Sequence, residues 1–286
     1  MITLTLKKKP YTFPTRWGEF SPALGQTFIR LAREMALFET GIHSFDAFKV
    51  AITIAILGLR EGKIPAFTEE FSENIYRLGE HFTFPYSIHQ REDGSRVADI
   101  TISLSENLLP TLRGVKGYSF LREPSGRMDC SLTAEQYIDS LELMQAYHTT
   151  HHVGALENMV QTLYPGIRKA TADEVWAVYY NFRGIINWIR NIPSYALIFT
   201  TDEPEAQDGG QRRSPVGLAS SIYSLAKAGY GDINTIKDLP LFSYLAILMQ
   251  QTIESIRTLA ASNMKPIQIS ERLHLPVDLV LQYSSK

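Results

Sequence analysis

Three histidines, His148, His151 and His152, fall at positions i, i+3 and i+4. On one helix face that spacing lets two imidazoles share a metal ion. The run lacks the glutamate of His-Glu-x-x-His, and no third ligand can be named. A polar helix end ahead of Gly154 accounts for the same residues, because an imidazolium suits the negative end of the helix dipole. Glu135, Asp139 and Glu142 can line three carboxylates along one helix. Acid–base work needs desolvation or close coupling, and a solvated helix face explains them equally. Cys130 is the single cysteine, which excludes an intrachain disulfide and a thiolate metal cage. It carries no nucleophile signature and, beside Met128 and Leu132, reads as a small core residue. No Gly-x-Ser-x-Gly elbow occurs. Gly229-Tyr-Gly231 is a fragment of a dinucleotide fingerprint, better read as a helix stop before a cap at Asp232. No enzyme is expected: no catalytic residue, no metal and no cofactor.

Two other segments have the chemistry of binding. Residues 239–253 carry no charge and place apolar side chains on every helical face. Such a helix is buried all round or meets a partner. If it meets one, Leu241, Tyr244, Leu245, Leu248 and Met249 are the candidate partner-binding residues, a Met- and aromatic-containing set suited to an adaptable contact. Residues 265–283 have the length of a helix-turn-helix, with Ile269, Leu273, Leu275, Val277 and Val280 as its apolar set. The second helix, from Pro276, offers no Arg, Lys, Asn or Gln at its N-terminal end, where base edges are read. Asp278 there would repel phosphate. Packing of two short helices is the simpler reading, and a DNA-binding regulator is the alternative.

The elements that must position these residues follow from periodicity. The chain has 286 residues, 44% of them apolar and 20% charged, an ordinary globular balance. Its formal charge of −2 gives no global drive toward nucleic acid or anionic membrane. Ile2, Leu4 and Leu6 alternate with threonines ahead of Tyr11 and Phe13, which predicts an N-terminal β-hairpin ended by Pro14. Leu24, Phe28, Leu31, Met35 and Phe38 predict a helix stopped at Gly41. Helices are expected at 45–57 and 69–79. Asp93-Gly94 predicts a hairpin turn, and 118–122 with 127–130 predict another hairpin, so residues 84–130 read as a small β insert. Thr133 with Gln136, and Thr171 with Glu174, are capping-box patterns opening helices. The second carries Val175, Tyr179, Phe182, Ile186 and Ile189. Asp238 is expected to cap a helix running to about 262, followed by a helical pair split at His274-Leu275-Pro276.

The fold class expected is mostly α (α+β). Residues 1–200 are expected to form a helical domain with the β insert, 201–215 a flexible loop or linker, and 216–286 a C-terminal helical region. The apolar runs at 50–59 and 239–253 are too short to span a bilayer, and no secretory core is legible. A soluble protein without membrane contact is expected.

The opening, Tyr11-Thr-Phe-Pro-Thr-Arg-Trp17-Gly-Glu19-Phe after an amphipathic hairpin, resembles tailed-phage and prophage proteins encoded near tail-tube and tape-measure genes. Those begin with a strand, a Tyr-x-Phe/Ile-Pro-x-x-Trp-x-Glu signature and a helical domain. Leu132-Thr-Ala-Glu-Gln-Tyr-Ile-Asp139 and 156–164 fit the same pattern, and 230–241 resembles the C-terminal region of tail-assembly-chaperone-like proteins. The 84–130 insert has no counterpart in it. The resemblance implies a non-enzymatic tail-morphogenesis protein, a tail assembly chaperone or a minor tail component. Its partner would be a tape-measure or tail-tube protein. Its place would be the cytoplasm of a bacterial host or the virion.

Overall fold

A computed structural model describes residues 2–6, 9–37, 42–59, 69–81, 86–90, 96–100, 102–123, 125–199 and 216–284. It is mostly helical with short β-ribbons, the α+β class the sequence predicts. The strands are β1 (Ile2–Leu6), β2 (Lys9–Phe13), β3 (Tyr86–Gln90), β4 (Arg96–Ile100), β5 (Thr111–Leu112), β6 (Val115–Lys116), β7 (Phe120–Arg122) and β8 (Met128–Cys130). The first helices are α1 (Pro22–Leu37), α2 (Ile42–Ile56), α3 (Glu69–Gly79), α4 (Ala134–Thr150), α5 (Gly154–Leu163) and α6 (Ala172–Arg190). The later ones are α7 (Ala196–Phe199), α8 (Val216–Lys227), α9 (Ile233–Lys237), α10 (Leu241–Ala261), α11 (Pro266–Leu273) and α12 (Val277–Ser284).

The described chain divides into two compact units. One joins Met1–Arg113 to Lys169–Asn187, and the other joins Gly114–Arg168 to Trp188–Lys286. These units are cut elsewhere than the expected 1–200 and 216–286. The expected linker lies outside the described residues, as do the helix stop at Gly41 and the Asp93-Gly94 turn.

In the first unit β1 pairs antiparallel with β2, from Ile2 opposite Phe13 to Leu6 opposite Lys9. Ser21 Oγ accepts from Leu24 N at 3.2 Å and Pro22 opens α1, a favoured N-terminal pair. Phe28 and Leu31 of the α1 stripe are buried. Phe28 meets Trp17 edge-on at 4.9 Å and Phe48 of α2 at 5.2 Å. Trp17 also stacks on Phe20 at 5.0 Å. On α6, Val175, Tyr179, Phe182 and Ile186 are all buried, as their spacing predicts.

Residues 102–108 run along α6 without regular structure of their own. Three of their main-chain groups are bonded by that helix, and Leu108 O accepts from Gln26 Nε2 of α1 at 3.0 Å. Leu104 N donates to Gly184 O at 2.9 Å, and Asn187 Nδ2 donates to Ile102 O at 2.9 Å. Asn181, buried, accepts from Leu108 N at 3.0 Å and donates to Asn107 Oδ1 at 2.8 Å. Gly184 lets this strap approach: a Cβ there would stand 2.6 Å from Ile102 Cγ2 and 2.8 Å from Leu104 Cγ.

In the second unit β7 pairs antiparallel with β8, with Phe120 opposite Cys130. The Thr133 capping box is formed, with Gln136 N donating to Thr133 Oγ1 and Thr133 N to Gln136 Oε1, both at 3.2 Å. The expected Asp238 cap of the long helix is not. Pro240 occupies the N-cap of α10, and Asp238 closes α9 instead. The physical reason is tertiary. Leu241 N donates to Leu132 O at 2.8 Å and Ala134 N to Leu239 O at 2.9 Å, so the starts of α4 and α10 satisfy each other. Asp232 does cap α9, accepting from Asn234 N and Thr235 N.

Candidate interaction surface

The five candidate residues on α10 lie on the inward side of that helix. Leu241, Tyr244, Leu245 and Leu248 are buried. Met249 is half-buried against a cluster of Leu197, Ile253, Ile256, Ile269, Leu275 and Val280. The residues that α10 leaves exposed are small or polar, among them Ser243, Ala246, Gln250, Glu254 and Arg257. Its uncharged stretch is therefore explained by burial, and these side chains are not offered to a partner in this conformation. Tyr244 Oη hydrogen-bonds Ser221 Oγ of α8. Burial pushes the Tyr244 phenol up to about 12, against the smaller opposing pull of that hydrogen bond.

Exposed apolar side chains sit further along. Ile267 on α11 is 61% exposed and Leu281 on α12 is 52% exposed, with Val277 one turn before Leu281. The two helices are joined as the sequence predicts. His274 takes the left-handed conformation (φ +55°), and Leu275 N donates back to Ser270 O at 3.1 Å. Ile269, Leu275 and Val280 pack with Ile253 and Ile256 of α10, giving a three-helix core. A shallow groove beside it is lined by Gln251, Glu254, Ser255, Thr258, Leu259 and Leu273. The exposed cations here, Arg257, Lys265 and Arg272, are balanced by the exposed carboxylates Glu254, Glu271 and Asp278.

The other sequence candidates are dispersed or occupied. Helix α4 ends at Thr150, and His151 turns left-handed (φ +54°) as its C-cap. His148, His151 and His152 therefore share no helical face, and all three are exposed. Among the described residues no group of three His, Cys, Asp or Glu side chains is placed to hold a metal ion. Of the three α4 carboxylates, Glu135 is bound by Lys237 Nζ of α9 at 2.7 Å. Partial burial, then the neighbouring Glu135, raise the Asp139 carboxyl, with Lys237 pulling the other way. Glu142 is exposed. Burial pushes the Cys130 thiol up to about 11, so it is protonated at neutral pH and a poor nucleophile.

Sequence reasoning missed one charged constellation. Arg113, in the left-handed region (φ +49°), forks onto Glu174, with Nε and Nη2 each 2.6 Å from a carboxylate oxygen. Its Nη1 also donates to Lys169 O at 3.1 Å. Glu174 thus serves the Thr171 capping box and Arg113 together. Burial raises its carboxyl, but the Thr171 and Arg113 hydrogen bonds outweigh that and leave it below the ordinary value. Arg113 is 61 positions from Glu174, so nothing local signals the pair.

Among the described residues no helix is long and apolar enough to cross a membrane. No protein-family model matches the chain, and no curated protein and no solved structure matches it.

Proposed function

We propose that this protein works by binding another protein, as a tail-morphogenesis component of a tailed phage or prophage, in the manner of a tail assembly chaperone. The observation that supports the reading best is the arrangement of residues 11–20, where the resemblance is densest. Phe13 and Pro14 are buried at the end of β2. Trp17 packs on Phe20 and Phe28, and Glu19 accepts from Thr15 N at 2.8 Å and Arg16 Nε at 3.1 Å. The Tyr-x-Phe-Pro-x-x-Trp-x-Glu residues thus make the junction between hairpin and α1. A signature of this kind marks a shared way of folding, which is what a resemblance among binding proteins would preserve. The test is deletion of the reading frame in its native host, with a tagged copy restored. Tail-less particles under negative stain, and recovery of a tape-measure or tail-tube protein on the tag, are expected. Normal tails and a tag that brings down no tail component would overturn the reading.

A second reading, a DNA-binding regulator, is favoured by the left-handed turn at His274 and the packing of α11 and α12 on α10, the arrangement of a helix-turn-helix. Against it stand the balanced charge and the exposed Val277 and Leu281 on the helix that would read bases. Binding to duplex DNA that weakens steeply with salt would support it, and no binding at low salt would end it.

A further inference from the structure

We draw no further inference here: the strongest candidate, the exposed apolar side chains of Ile267, Val277 and Leu281 on the C-terminal helical pair beside the shallow groove lined by Leu259 and Leu273, carries nothing because nothing in the structure shows what covers it.

Discussion

Gly184 and Cys130 show how single residues are constrained by what lies against them. In an exposed helix interior, replacing glycine gains about 1 kcal/mol toward alanine. At Gly184 the sign reverses, because Ile102 and Leu104 already occupy the space of a Cβ. Overpacking of this kind costs about 1–3 kcal/mol, and a β-branched side chain forfeits part of the propensity gain. Gly184→Val is therefore expected to destabilise by about 2 kcal/mol, read as a lower urea midpoint. An unchanged midpoint would mean that the strap does not lie on α6. Cys130 gives a chemical readout of burial. With its thiol at about 11, it is fully protonated at pH 8, whereas an unfolded thiol near 8.5 is partly ionised. Alkylation by iodoacetamide at pH 8 is expected to be on the order of a hundredfold slower in the native protein than in urea. Equal rates would place the thiol in water.

Helices of this chain are legible where their ends are local and illegible where a distant segment completes them. Thr133 with Gln136 and Thr171 with Glu174 sit three residues apart, and both capping boxes form. The stripes of α1 and α6 and the split at His274 are equally local signals, carried by spacing and by one left-handed residue. Asp238 fails as a cap because Leu132 O takes the Leu241 N–H across more than a hundred positions. The histidine face fails because α4 stops at Thr150, two residues short of His152. The strap at 102–108 opens with the alternation of a strand, buried Ile102 and Leu104 alternating with Ser103 and Ser105, yet its hydrogen bonds end on side chains and main chain of helices, at Gln26, Asn181, Gly184 and Asn187. Of the candidate sites, the composition of 239–253 was legible, but whether it is buried was not, because burial belongs to the neighbours. The caps themselves are testable. Thr133→Ala and Thr171→Ala are each expected to cost about 1 kcal/mol. The second also loosens Glu174 beneath Arg113, so Arg113→Ala on top of it should cost less than it does alone. Strict additivity in that double-mutant cycle would sever the two roles of Glu174.

At the scale of the molecule, the two compact units carry different titrating groups. Tyr244 and Cys130, both held above their ordinary values by burial, belong to the second unit. The sign of their effect is fixed by linkage. An unfolded tyrosine releases its proton near 10, whereas the native one holds it to about 12. Between those values the unfolded chain binds fewer protons, so stability falls as pH rises. The contribution is complete below pH 10 and lost through about 12. A shift of this size corresponds to roughly 2–3 kcal/mol, and the raised Cys130 thiol adds a separate contribution of the same sign at somewhat lower pH. Tyr244→Phe keeps the ring in the core and removes the titrating hydroxyl, leaving Ser221 to find another partner. It is expected to lower stability by about 1 kcal/mol at pH 8. Between pH 8 and pH 11 it should then lose less stability than the parent protein. Urea unfolding followed at both pH values, with the second unit monitored through Trp188, reads this directly. Parallel losses in the two proteins would mean that the Tyr244 hydroxyl is solvated, and with it that α10 presents rather than buries its aromatic face.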